Sequence, residues 1–252
     1  SINDFSLKAY RDILQYFHKT HTYVTFRDYE SNSHKNNLII LRHDIDCSLE
    51  QALKMAAIEA EYGIQASYFF LFSSPFYNIL DEENITMPRK IKELGHEIGL
   101  HYDVNVMIKG GKNNAKELLN FQIRLLENIS ESAISSIAMH NPSINGTDIF
   151  RETSYLNVYD DKFIKDMDYY SDSCMAWRNS FIEKLTSNTF RSKIQLLIHP
   201  ILWSVDIQTR WEKLDKLIAG IEAGIRKKGD ETKNIWKNHS GVIEHDLREL
   251  KL

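Results

Sequence analysis

Asp44 and Asp46 stand two residues apart at the end of an apolar run, in the string Arg42-His43-Asp44-Ile45-Asp46. Residues two apart in a strand face the same way. Two carboxylates on one side repel each other unless a cation neutralises them or one takes up a proton. A cation that accepts carboxylate oxygen and imidazole nitrogen together resolves the conflict, and zinc does so readily. The plainer alternative is a helix cap from Asp46 beside Ser48 and an ion pair between Asp44 and Arg42. Three further apolar runs also end in a histidine: His101 before Tyr102 and Asp103, His140 before Asn141 and Pro142, and His199 before Pro200. With His101 and His140 in register beside Asp46, the metal-site reading overtakes the cap. An imidazole at position 199 can be tuned near neutral pH, which suits a general acid. A hydrogen-bonded buried histidine is an equal reading there. His96 reads as a packed residue near the start of its strand.

Residues 169–178, YYSDSCMAWR, bring together Asp172, Trp177 and Arg178. A tryptophan can stack on a sugar ring, and an arginine can bind a carboxylate or phosphate with two parallel bonds. The alternative is a loop with a core tryptophan. His239 and His245 read as surface residues.

These groups must be delivered by regular elements, and the pattern predicts which. Residues 38–43, 64–72, 97–101, 133–140 and 194–200 read as buried strands. Ser48 with Gln51 three residues on is a capping-box signature, and Gly63 is the matching stop. Helices are expected around Pro88 to Leu94, over 113–128, and from Trp211 through Ile225 with Gly229 as the stop. Strands alternating with helices imply parallel βαβ units. A closed or nearly closed β/α barrel of about seven strands is the expectation, with an open doubly wound sheet as the alternative. In both, function belongs at the carboxyl ends of the strands, which is where the histidines and carboxylates fall.

The chain has 252 residues, 42% hydrophobic and 26% charged, with four prolines and ten glycines, and reads as one domain spanning 1–252. A net charge of −4 without a basic stripe speaks against nucleic acid. The two cysteines make no disulfide scaffold, and no apolar stretch is long enough to span a bilayer. The opening SINDFSLKAY has neither a basic start nor an apolar run, so a cytoplasmic protein is expected.

Three strings carry a resemblance: Arg42-His43-Asp44-Ile45-Asp46, Gly95-His96-Glu97-Ile98-Gly99-Leu100-His101, and Leu197-Ile198-His199-Pro200. In them the chain resembles the polysaccharide deacetylase (NodB-homology) superfamily of carbohydrate esterases, in an atypical branch whose first motif is R-H-D-x-D. The match runs from about residue 38 to residue 203, and G-H-E-I-G-x-H is its specific part. The resemblance implies a distorted (β/α)7-type barrel with a divalent metal, usually zinc, at the strand ends. It implies Asp44 as the general base, Asp46 and His101 as ligands, and His199 as the acid that protonates the leaving amine. The family's second histidine ligand lies four residues after the first, where this chain has Asn105. His140 is the replacement of choice, Asp103 and Tyr102 are weaker ones, and a degenerate site is the alternative. Arg42, Tyr102, Asp172, Trp177 and Arg178 are the expected substrate contacts. The expected function is a metal-dependent N-deacetylase of an intracellular sugar precursor, nucleotide- or lipid-linked, in surface polysaccharide biosynthesis. The alternatives are a non-catalytic carbohydrate-binding protein and an amidase acting on a non-sugar amide.

Overall fold

The computed structural model describes residues 2–109, 111–151 and 153–249. The chain divides into two compact units, Ser1–Arg210 and Trp211–Leu252. The first opens with helix α1 (Leu7–Thr20), strand β1 (Thr22–Val24) and the short helix α2 (Tyr29–Asn32). Then follow β2 (Leu38–Ile45), α3 (Leu49–Glu61), β3 (Ser67–Leu71), α4 (Met87–Glu93) and β4 (Glu97–Tyr102). Helices α5 (Val104–Lys109) and α6 (Lys112–Ser130) lead to β5 (Ser136–Met139) and α7 (Pro142–Asn145). The unit ends with β6 (Leu156–Asn157), α8 (Asp161–Ile164), β7 (Asp168–Ser171), α9 (Phe181–Ser187) and β8 (Lys193–Ile198).

Seven strands lie in the order β6-β5-β4-β3-β2-β8-β7, every pair parallel, and curl into a half-barrel rather than an open doubly wound sheet. Strand β1 adds to β2 along Leu38 to Ile40, and β3 takes over from Arg42 to Ile45. All eight residues of β2 are buried, as a strand covered on both faces requires. Its faces divide by parity. Leu38 and Ile40 pack inside the barrel with Phe26, Phe69 and Phe163, while Ile39, Leu41 and Ile45 join the larger core under α1 and α3. Helix α1 closes that core with Ala9, Tyr10, Ile13, Leu14 and Phe17, an apolar stripe at helical spacing.

The outer face of β2 carries His43 into a buried polar knot. His43 Nε2 lies 2.7 Å from Glu59 Oε1 on α3. Tyr68 donates to the same oxygen at 2.9 Å, and Tyr10 donates to it as well. Burial works to raise the Glu59 carboxyl, yet His43, then His96 and Tyr10, hold it below the usual carboxylate range. His96 completes the knot as a packed residue: Nδ1 accepts from Ala66 N at 3.1 Å and Nε2 donates to the Ala56 carbonyl at 3.0 Å.

The local signals mostly hold. Ser48 Oγ accepts from Gln51 N at 3.2 Å and starts α3, and Gly63 takes the left-handed conformation just beyond its end with φ 65°. The predicted stop at Gly229 is wrong. The second unit is helical throughout its described part: helix α10 runs Arg210–Glu249 through that glycine. An interior glycine costs a helix only about 1 kcal/mol, and the charged helix formers around it offset this.

The barrel interior tolerates no added bulk beside the strand that carries His101. A Cβ at Gly99 would lie 2.4 Å from Cε1 and 2.6 Å from Cδ1 of Phe69. Gly99→Ala is therefore expected to destabilise the protein by about 1–3 kcal/mol through overpacking. Urea unfolding measures it, and an unchanged midpoint would contradict the packing described.

Candidate metal centre

Asp46 follows the last residue of β2, and the chain there is braced. Tyr77 donates its hydroxyl to the Ile45 carbonyl at 2.7 Å, and Ser74 donates to the Asp46 carbonyl at 2.7 Å. Ser48 performs the capping of α3, so the Asp46 side chain is not spent on it. Asp46 Oδ1 instead faces two imidazoles, 3.2 Å from His101 Nε2 and 3.8 Å from His140 Nε2. Asp46, His101 and His140 each offer one ligand atom, all within 4.8 Å of one another. His101 is the last residue but one of β4 and His140 follows β5, so the cluster is drawn from three strand ends.

The donor set fits a metal ion. His101 Nδ1 lies 2.8 Å from the Ala138 carbonyl, which only accepts, so Nδ1 carries a proton and Nε2 is the nitrogen that a metal would take. Asp46 Oδ1 is buried without a hydrogen-bond partner. Such an oxygen is costly unless a positive centre meets it. One carboxylate oxygen and two imidazole nitrogens form a three-ligand set of the kind that catalytic zinc takes. Asn105, where a histidine was looked for, is exposed in the first turn of α5. Burial raises the Asp46 carboxyl, but His101 chiefly, then His199 and His140, hold it down at about 2.

Asp44 lies on the same face of β2, and Arg42 clamps it. Arg42 Nε donates to Oδ1 at 2.8 Å and Nη2 to Oδ2 at 2.7 Å, both side chains buried. Burial would raise the Asp44 carboxyl; Arg42 and then His101 bring it below the ordinary range. Asp44 Oδ2 lies 3.5 Å from His101 Nε2, which puts the carboxylate against the cluster. Arg42 itself is fully buried, with Nη1 on Gln195 at 3.2 Å, Nη2 also on the Tyr159 hydroxyl at 2.9 Å, and its guanidinium over the Tyr159 ring. A group with no exposed surface cannot meet substrate, so the expectation of a substrate contact is corrected to one of holding Asp44.

His199 follows β8 on the other side. Its Nδ1 lies 2.6 Å from Asp172 Oδ1, and its Nε2 lies 3.9 Å from Asp46 Oδ2. Burial disfavours the imidazolium, but Asp172, then Asp46 and Asp44, push it up to about 9. Asp172 follows β7, a strand that no apolar run marks in the sequence. It is fully buried and also accepts from the His199 backbone N–H and from Trp203 Nε1 at 2.8 Å. Asp172 is thus another corrected substrate contact, since all its visible bonds point into the protein.

The remaining expected contacts divide. Tyr102 is buried, donates to Asp148 at 2.7 Å and lies on the opposite face of β4 from His101. Trp177 is half-buried and packs in an aromatic group with Phe181 at 4.0 Å and Phe5 at 5.7 Å between ring centroids. Arg178 is exposed on the loop between Asp172 and α9 and stays available. The side chains of His239 and His245 lie outside the described residues. Both cysteines are free thiols. No described helix is long and apolar enough to cross a membrane. Trp203, Tyr159 and Gln195, which brace Asp172 and Arg42, carry no local sequence signal, because their partners are distant in the chain.

A parallel half-barrel with a carboxylate–imidazole cluster at its strand ends is the class that fold and site define. No protein-family model matches the chain, and no curated protein matches its sequence. Among solved structures it is similar to the Xyl-CE4 domain of a multidomain xylanase from the hindgut metagenome of Trinervitermes trinervoides, with 13% identity over 77% of this chain and 85% of that one, at a TM-score of 0.46. It is similar to the peptidoglycan deacetylase PdaC of Bacillus subtilis, with 13% identity over 80% of this chain and 98% of that one, at 0.45. It is also similar to a CE4 family pseudoenzyme from Bacillus anthracis, with 15% identity over 75% of this chain and 62% of that one, at 0.45.

The raised imidazoles make a pH prediction for the metal-free protein. A group whose folded pKa is raised stabilises fully below its unfolded value, near 6.5 for histidine, and loses that contribution as pH rises through the folded value, about 9 for His199. His101 is raised too and acts in the same direction. With chelator present, the melting temperature should fall as pH rises from about 6.5 past about 9. His199→Gln should make that slope shallower. A flat profile in the unsubstituted protein, or an unaltered slope in the variant, would refute the coupling.

Proposed function

We propose that the protein is a zinc-dependent hydrolase that removes the acyl group from an N-acylated sugar, an N-deacetylase in the simplest case. One observation carries the reading: Asp46, His101 and His140 converge within 4.8 Å, with Asp44 against one side and His199 against another. When bound by these three residues, zinc would supply Lewis acidity for the acyl oxygen and make the attacking water easier to deprotonate. Asp44 takes the proton of that water on Oδ2, the oxygen nearer His101. Arg42 holds the carboxylate plane fixed, so the acceptor is oriented before the reaction begins. His199 gives the proton on Nε2 to the leaving nitrogen. Asp172 keeps Nδ1 occupied, and the imidazole held near 9 is charged at neutral pH, as an acid must be.

The sugar part of the reading is supported by the Gly95–His101 string, and Arg178 is the exposed cation that would meet a phosphate or uronate on it. A nucleotide- or lipid-linked precursor of a surface polysaccharide, met in the cytoplasm, is the substrate we put first. Purified protein should carry one zinc, release acetate from such a precursor, lose activity to chelator and regain it on zinc addition. Asp44→Asn should keep the zinc and lower kcat by about a hundredfold to ten-thousandfold. A zinc-loaded protein that releases acetate from no N-acetylated sugar would overturn the hydrolase reading and leave sugar binding without catalysis.

A further inference from the structure

The second imidazole of the cluster is oriented by a side chain that the proposed reaction does not use. Asp103 follows β4 directly. Its Oδ1 accepts from the backbone N–H of Asn105 at 2.9 Å and of Val106 at 3.4 Å, at the start of α5. Its Oδ2 lies 3.4 Å from His140 Nδ1. An ionised carboxylate only accepts, so this contact calls for the proton on Nδ1. On the other side of the ring, the Asn141 amide nitrogen lies 3.0 Å from Nε2; an amide N–H only donates, so this contact leaves Nε2 unprotonated, and the amide must swing aside for a metal to take the same lone pair. Two contacts from different residues thus specify the same tautomer. Nε2 is also the atom facing Asp46 Oδ1 at 3.8 Å. The Ala138 carbonyl sets His101 in the same way. Asp103 itself stands outside the group of ligand atoms that meet within 4.8 Å.

We infer that Asp103 is the positioning residue of the metal centre: its carboxylate fixes the tautomer and ring direction of His140, which makes up for the histidine replaced by Asn105. The inference rests on the proposed role of His140 as a ligand. Carboxylate–histidine–metal triads are a general device for raising ligand basicity, and losing the carboxylate typically weakens metal binding about tenfold to a hundredfold.

Two substitutions separate this role from the helix cap. Asp103→Asn keeps an oxygen for the cap and the same shape, but replaces the other oxygen with an amide donor. That donor favours a lone pair on Nδ1 and sends the proton to Nε2, where it blocks ligation. Asp103→Ser keeps a capping hydroxyl and is too short to reach His140. Asn and Ser are both good caps, so the metal-free melting temperature should stay close to that of the unsubstituted protein for both. Zinc affinity is read on the full chain by competition with a chromophoric chelator. Asp103→Ser should bind about tenfold to a hundredfold more weakly, and Asp103→Asn at least as weakly, although it is the closer mimic. A merely structural Asp103 gives the opposite order, with Asp103→Asn nearest the unsubstituted protein. That order, or unchanged zinc affinity in both variants while the unsubstituted protein holds one zinc, overturns the inference and leaves the metal centre standing. An unsubstituted protein that takes up no stoichiometric zinc overturns both.

Discussion

Two carboxylates on one face of a buried strand end cannot both remain ionised without positive charge beside them, and the site is organised around that constraint. Asp44 and Asp46 meet it differently. Asp44 is neutralised from within its own strand, by the two parallel bonds of Arg42. Asp46 has no arginine or lysine within ion-pair distance among the described residues; it has the imidazoles of His101, His140 and His199. Imidazoles can surrender their protons where guanidinium cannot. The first carboxylate is therefore permanently paired, while the second faces groups able to become neutral ligands together. This difference is what the proposed roles draw on, Asp44 as base and Asp46 as ligand.

The alternation of β2 keeps this arrangement separate from the rest of the core. Arg42 and Asp44 continue the inner face of Leu38 and Ile40, while His43 turns outward to Glu59 on α3. Helix α3 is thus tied to the strand by a polar contact on one face, while the other face carries chemistry. Buried pairs of this kind add little net stability over apolar packing, though losing one partner costs about 3–5 kcal/mol. Their value here is geometric. A slip of one residue in β2 would exchange the two faces, placing Arg42 against Glu59 and the His43 ring inside the barrel. The slip would also carry Leu38 and Ile40 off the inner apolar face, and that loss opposes it.

Legibility from sequence followed the range of the interactions. Strands with continuous apolar runs, the Ser48 cap and the Gly63 turn could be read because their causes lie within a few residues. The meeting of Asp46, His101 and His140 could be read because parallel strands deliver their carboxyl ends to one side, whatever the details of the curl. Strand β7 was missed because its four residues, Asp168–Ser171, carry no apolar run; two tyrosines and the pairing with β8 make it a strand. The misread contacts share a cause. Arg42, Tyr102 and Asp172 are polar residues near a strand end, which looks like availability, but burial decides whether a polar group serves substrate or protein. That depends on Gln195, Tyr159, Asp148 and Trp203, partners dozens of positions away.

In the proposed centre the second imidazole comes from a strand end rather than from a helix, and that changes what kind of site it is. A ligand four residues after His101 would stand in the first turn of α5, on a segment that can move with its helix. His140 stands at the end of β5, whose neighbour in the sheet is the strand that carries His101, and His101 is itself bonded to the β5 backbone through Ala138. The His140 backbone N–H donates to the Tyr102 carbonyl at 2.8 Å. The two imidazoles are thus held by the same pair of strands, and their rings lie 5.2 Å apart at near right angles. Ladder hydrogen bonds fix such a spacing more tightly than a loop-to-helix junction would. On the proposed reading the position of Asn105 carries no ligand, and nothing there calls for a histidine.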